Sequence, residues 1–174
     1  MTDFARHIRD VPDFPEPGIV FKDITPLLGH PEMFAEALDA MAAPYHHGQV
    51  DVVVGIEARG SIFGAPLARH FNAGFVPIRK PGKLPFEVSG KEYALEYGTD
   101  RLEAHIDAIH TGSRVLVVDD VLATGGTAAA AVDLVNQLGG EVIGFAVLIE
   151  LGFLNCRDRL TDVDVHTVVH YGAD

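Results

Sequence analysis

Asp119 and Asp120 stand side by side, and four residues on comes Thr124-Gly125-Gly126-Thr127. Small residues and two hydroxyls in a turn that opens a helix leave backbone N–H groups bare. Such a helix start attracts an anion, phosphate above all. Carboxylates beside a phosphate site make chemical sense when the ligand also carries hydroxyls or a cation. A phosphorylated sugar with Mg²⁺ has all three. The carboxylates would accept hydrogen bonds from sugar hydroxyls and stabilise positive charge developing on the ring. The alternative is a packing turn behind two solvated acids. Two threonines flanking Gly-Gly, after paired carboxylates, disfavour it.

These residues need a strand before them and a helix after them. Val115, Leu116, Val117 and Val118 form a short, unalternated and mostly β-branched run, which suits a strand buried on both faces of a parallel sheet. Ala128, Ala131, Val132, Val135 and Leu138 follow at helical spacing, and Gly139-Gly140 ends the helix. Upstream, residues 50–54 predict a buried strand, and Gly55-Ile56-Glu57-Ala58-Arg59-Gly60 a loop at its carboxyl end. A helix from about Ser61 to Asn72 and a strand over 75–78 complete a right-handed βαβ unit. Arg79-Lys80-Pro81-Gly82-Lys83 is the dense basic cluster of the sequence. A long irregular stretch to about Leu95 follows, of a length that is more often functional than idle. Strands over 142–149 and 163–169 close the pattern, with a loop around Leu151-Gly152-Phe153.

The expected fold is α/β: a doubly wound, mainly parallel five-stranded sheet with flanking helices. The loops at 57–60, 79–83, 119–127 and 150–153 then share the carboxyl edge, where ligands bind. The N-terminal part predicts a short helix over 2–9, a proline-rich extended arm, a brief strand at Ile19-Val20-Phe21, and another turn over 22–26. A helix from Pro31 follows, stopped by Pro44. The arm either packs on the domain or supplies one wall of a pocket.

Composition narrows the classes. The 174 residues allow one domain with a real core, 48% of them are apolar, and the formal charge is −12. That charge argues against a nucleic-acid partner, which needs a basic face. It also makes any polyanion depend on local amides, a metal or a few cations. With 13 Lys plus Arg in all, Arg59 and Lys83 on the ligand edge are the natural partners of a pyrophosphate group. Cys156 is the single cysteine, so an internal disulfide is excluded and a reducing, cytoplasmic compartment fits. No apolar run is long enough for a membrane span, and the charged start lacks a signal-peptide core. Neither a P-loop nor a dinucleotide fingerprint occurs. The nine histidines lack metal-ligand spacing, and Cys156 has no base beside it to make it a nucleophile.

The stretch 115–127 resembles the phosphoribosyl-pyrophosphate signature of the type I phosphoribosyltransferases. Three further blocks resemble the adenine-using branch of that family. They are Phe14-Pro15-Glu16-Pro17-Gly18-Ile19-Val20-Phe21-Lys22-Asp23-Ile24, then Gly55-Ile56-Glu57-Ala58-Arg59-Gly60, then Arg79-Lys80-Pro81-Gly82-Lys83-Leu84-Pro85 with Tyr93-Ala94-Leu95-Glu96-Tyr97-Gly98. The resemblance runs from about Ile8 to beyond Leu160. Ser61, where relatives usually have Phe, and Cys156, at a usually glycine-like position, depart from it.

The resemblance implies a single domain over 1–174, with an arm or hood over 1–30 serving the base pocket and a long mobile catalytic loop over 80–103. It implies the reaction adenine plus phosphoribosyl pyrophosphate to AMP plus pyrophosphate, with Mg²⁺ carried mainly by substrate, in a homodimer. Ala123, Thr124, Gly125, Gly126 and Thr127 would hold the 5-phosphate, Asp119 and Asp120 face the ribose, and Arg59, Lys80 and Lys83 bind pyrophosphate. Glu57, Ala58 and Gly60 complete the pyrophosphate loop, in which the family often has a cis bond at the position of Glu57-Ala58; the residues alone leave that isomer open. Adenine would lie between Phe21 and Leu151, its amino edge read by the backbone of Val20 and Lys22. Glu96 would move a proton at adenine N7. Two alternatives stay open: an enzyme for 6-oxopurines, and a non-catalytic regulator that keeps the fold to sense the ligand.

Overall fold

The computed structural model describes residues 2–95 and 98–172. Two compact units make up the protein, Met1–Ala40 and Met41–Asp174. The first holds a short 3₁₀ turn, Phe4–His7, then an antiparallel hairpin of β1 (Arg9–Pro12) and β2 (Val20–Asp23). The expected helix over 2–9 therefore stops early. Register pairs Arg9 with Asp23 and Asp10 with Lys22, so each rung places opposite charges together, and Lys22 Nζ lies 2.6 Å from Asp10 Oδ1. The Phe14 and Phe21 rings meet edge to face at 5.2 Å, and the Phe14-Pro15 bond is cis. The expected turn over 22–26 tightens into a one-turn helix, α1 (Thr25–Leu28). Asp23 starts it by accepting from both the N–H and the hydroxyl of Thr25, at 2.9 Å each. α2 (Pro31–Ala42) has proline in its first turn, as expected.

The second unit is built on five parallel strands: β3 (Val52–Ile56), β4 (Gly74–Ile78), β7 (Arg114–Leu122), β8 (Glu141–Leu151) and β9 (Val165–Tyr171). Their order is β4-β3-β7-β8-β9. α3 (Gly60–Phe71) joins β3 to β4, and α4 (Gly126–Gln137) joins β7 to β8. The polypeptide moves outward from β3 to β4, then returns to the other side of β3 as β7. That reversal opens a crevice at the carboxyl ends of β3 and β7, where open α/β sheets bind ligands. Val115, Leu116, Val117 and Val118, and the whole run from Phe145 to Ile149, have no exposed surface. Each such large apolar side group stabilises the fold by about 1.5–3 kcal/mol. At the opposite edge Arg114 clamps Asp51 through two nitrogens, at 2.9 and 2.6 Å, and fixes β7 beside β3.

The stretch read as irregular to Leu95 is ordered over much of its length. β5 (Val88–Ala94) and β6 (Thr99–His105) form a second antiparallel hairpin. It docks on α4 through Lys91 to Asp133 at 2.8 Å and Gln137 to Ser89 at 2.6 Å. Among the described residues no helix is long and apolar enough to cross a membrane.

Candidate active site

The carboxyl end of β7 carries both aspartates. Successive strand residues point to opposite faces, and the two do differ. Asp120 is 5% exposed and its Oδ2 lies 2.8 Å from Arg59 Nε. Alignment for a hydrogen bond is lacking, so among the described residues Asp120 Oδ2 is a buried oxygen with no hydrogen-bond donor. Asp119 is half-buried, and its Oδ1 accepts the Asp120 N–H at 2.8 Å. Burial raises the pKa of both carboxyls; the charge of Asp120 raises Asp119 further, whereas Arg59 opposes the shift. Such a pair gains most from a ligand that donates hydroxyls or brings positive charge. Gly60 lets α3 start directly against this strand. A Cβ there would lie 2.8 Å from the Val118 carbonyl oxygen and 2.9 Å from Asp119 Oδ1.

Beyond β7 the backbone turns through Ala123, Thr124 and Gly125 into α4. Gly125 has φ +81°, and a Cβ on it would collide with the carbonyl oxygen of Cys156. The turn after β8, Gly152–Leu154 and Cys156–Arg159, thus lies directly on this loop. Glu150, 2% exposed, anchors that turn. Its two oxygens accept from Arg157 Nε and Nη2, both at 2.7 Å, and one also accepts from the Thr167 hydroxyl at 2.6 Å. Arg157 and then Thr167 outweigh burial and hold the Glu150 carboxyl down to about 2. A cleft of about 510 Å³ opens here, lined by Thr124, Gly126, Thr127, Asn155, Asp158 and Arg159 among others.

The loop after β3 contains a cis Glu57-Ala58 bond. The Glu57 carboxylate serves as scaffold. It accepts from Arg79 Nη2 at 3.1 Å and from the Lys80 N–H at 2.8 Å, tying the end of β3 to the end of β4; these bonds hold its carboxyl below the usual range. Lys80 Nζ pairs with Asp100 and lies 3.0 Å from the Tyr93 hydroxyl, which accepts from the Thr127 hydroxyl at 3.2 Å. Burial would lower the Lys80 pKa, but Asp100 and Tyr93 outweigh it. Lys83, Glu57, Ala58 and Arg79 line a second cleft of about 460 Å³. The structure therefore brings Lys80 to the turn at Thr127, Lys83 to Glu57-Ala58, and Arg59 to Asp120. Leu151 ends β8 next to the Glu150 anchor. Val20, Phe21 and Lys22 lie on the hairpin of the first unit, and Glu96 falls outside the described residues.

Four contributors have no site role in the sequence reading: Arg79, Tyr93, Asp100 and the Glu150–Arg157 pair. Tyr93 opens the 93–98 motif, and Glu150 closes an apolar strand with an arginine seven residues on; those are the available signals. Among the described residues no three His, Cys, Asp or Glu groups gather as a metal cage. The Asp119-Asp120 pair would instead offer hard oxygens beside a Mg²⁺ that arrives on substrate phosphates, which is how Mg²⁺ is commonly held in phosphate sites.

The model of the phosphoribosyl transferase domain matches residues 24–169. The adenine phosphoribosyltransferase of Acidothermus cellulolyticus is 61% identical over 156 residues, 90% of this sequence and 88% of that one. The crystal structure of adenine phosphoribosyltransferase from Rhodothermus marinus superposes with a TM-score of 0.92 at 57% identity, covering 95% of each protein. That of the Saccharomyces cerevisiae adenine phosphoribosyltransferase, complexed with an imino-altritol bisphosphate and adenine, gives 0.88 at 39% identity, over 95% of this protein and 98% of the other. A parallel sheet reversing at β3 and β7, a glycine turn that opens a helix beside paired aspartates, and these relatives together place the protein in the phosphoribosyl transferase family.

Proposed function

We propose that the protein transfers the 5-phosphoribosyl group from phosphoribosyl pyrophosphate to adenine, giving AMP and pyrophosphate, in purine salvage. The observation that carries this is the juxtaposition at the β3/β7 crevice of a glycine turn, the Asp119-Asp120 pair and the Arg59 loop. Thr124, Gly125, Gly126 and Thr127, with Ala123, cradle the 5-phosphate at the start of α4. Asp119 and Asp120 accept from the ribose hydroxyls, and their charge stabilises the oxocarbenium-like sugar. Arg59, Lys80, Lys83 and the backbone of Ala58 and Gly60 take the pyrophosphate, for which Lys80 exchanges Asp100.

Adenine N9 forms a bond to the anomeric carbon while the bond to the pyrophosphate oxygen breaks, its electron pair leaving with pyrophosphate. The proton shed by the imidazole ring goes to a base, a role we assign to Glu96 by resemblance. Mg²⁺, carried mainly on the substrate, would supply positive charge to offset that developing on the departing pyrophosphate. Val20, Phe21, Lys22 and Leu151 are assigned to adenine by resemblance. Backbone carbonyl and N–H groups match an exocyclic amine and ring nitrogen, and a 6-oxopurine would leave them unpaired. The same reading takes 1–174 as one catalytic domain, in a cytoplasmic homodimer. Turnover with adenine, guanine, hypoxanthine and xanthine, side by side, tests it. Adenine should dominate by more than about 10²-fold; a preference for a 6-oxo base rejects the assignment.

A further inference from the structure

The acceptor site for the 5-phosphate, as proposed above, is made of amides and hydroxyls, in a protein of charge −12. One cation stands among the described residues that line its cleft: Arg159. A Cβ placed on Gly126 would lie 3.3 Å from Arg159 Nη1, so the guanidinium rests over the first residue of α4. Its position is built rather than incidental. Arg159 ends the Cys156–Arg159 turn, whose Cys156 and the following Leu160 are buried at 1% and 4% exposure. Arg157 in the same turn is fastened to Glu150. The Cys156 carbonyl presses on Gly125. Arg159 itself is exposed. Three other basic groups at the crevice already have acidic partners: Arg59 has Asp120, Arg79 has Glu57, and Lys80 has Asp100. Asp158 lines the same cleft and opposes an anion, which makes the neighbouring guanidinium the group that offsets it.

We infer that Arg159 binds the 5-phosphate of the phosphoribosyl substrate and supplies the cationic group of that subsite. This rests on the phosphoribosyl-transfer reading above. A guanidinium donates two parallel N–H groups to phosphate oxygens, so it adds direction as well as charge to a cradle of amides. Ribose 5-phosphate carries the 5-phosphate without the leaving group, and pyrophosphate carries the leaving group without the sugar. The two probes therefore separate this subsite from the pyrophosphate loop.

The experiment titrates both probes into the full-length protein and into Arg159→Gln, Arg159→Lys and Arg69→Gln. Arg69 lies in the last turn of α3, a helix length away from the crevice, and makes the same charge change. Arg159→Gln should weaken ribose 5-phosphate by about 10- to 100-fold and raise the KM for phosphoribosyl pyrophosphate in step. Pyrophosphate affinity and the KM for adenine should stay within about twofold of wild type, because the guanidinium reaches only the sugar's own phosphate. Arg159→Lys should recover part of the loss, and Arg69→Gln should leave binding unchanged. Wild-type affinity for ribose 5-phosphate in Arg159→Gln overturns the inference, as does an equal loss in Arg69→Gln or a parallel loss of pyrophosphate. A wild-type protein that binds neither probe and forms no nucleotide overturns the functional reading, and the Arg159 assignment falls with it.

Discussion

Glu150→Gln tests how the site is held. The substitution keeps the shape but places an amide NH₂ where one of the two Arg157 donors now meets oxygen at 2.7 Å. The Glu150 carboxyl is lowered from 4.5 to about 2, and that difference corresponds to about 3 kcal/mol. The Glu150 side chain is 3% exposed but the Arg157 side chain is 52% exposed, so solvent screening reduces the contribution to about 2 kcal/mol. A folded-state carboxyl held below its unfolded value adds stability that is complete above pH 4.5 and disappears as pH falls toward 2. Urea denaturation of both proteins from pH 7 to pH 3 reads this directly. At pH 7 the variant should be less stable by about 2 kcal/mol, a fall in Tm of about 4–8 °C for a protein of this size. The gap should narrow below pH 4.5. Because the anchored turn carries the Cys156 carbonyl onto Gly125, the KM for phosphoribosyl pyrophosphate should rise as well. Equal stability at pH 7, or a gap that stays constant as pH falls through 4.5, refutes the clamp.

Two further outcomes follow from the site. Gly125→Ala forces a methyl group into a left-handed position and against the Cys156 backbone; displacing the phosphate turn should lower kcat/KM for phosphoribosyl pyrophosphate by about 10²-fold or more, and near-normal kinetics would show that the turn relaxes. Glu96→Gln should lower kcat by about 10²–10⁴-fold with little change in either KM if proton transfer limits turnover, and unchanged kcat removes Glu96 from the chemistry.

The parts of the fold that follow local rules were legible in the residues. The run 115–118 reads as a doubly covered strand because nothing polar interrupts it, and Gly139-Gly140 closes α4, with φ +89° at Gly139. The β5–β6 hairpin gave no such signal. Its β5 strand is mostly half-buried and carries Lys91 and Glu92, Gly90 lies beneath the Arg101 guanidinium, and its support comes from Leu102 and Ala104 in the core and from α4 through Lys91 and Ser89. Those are tertiary contacts with no periodic trace in sequence. The same holds for β1, which takes Arg9 out of the expected helix over 2–9 by pairing it with Asp23 on the neighbouring strand.

At the site, residue types at strand ends put Arg59 and Asp120 on one edge of the sheet, and the two lie 2.8 Å apart. What they could not mark was the division of labour among like charges. Arg79 and Lys83 line the same cleft and look equally available in the basic cluster, yet Arg79 is bound to Glu57. Glu150 and Arg157 meet because a turn folds back, a geometry that spacing alone leaves open.

The most direct measurement is product formation from adenine and phosphoribosyl pyrophosphate, followed by chromatography for both AMP and pyrophosphate, with Mg²⁺ and with Mg²⁺ chelated. Equimolar AMP and pyrophosphate, formed with Mg²⁺ and suppressed without it, is the predicted result. Consumption of phosphoribosyl pyrophosphate to ribose 5-phosphate without nucleotide, or no turnover with adenine at all, would contradict the account.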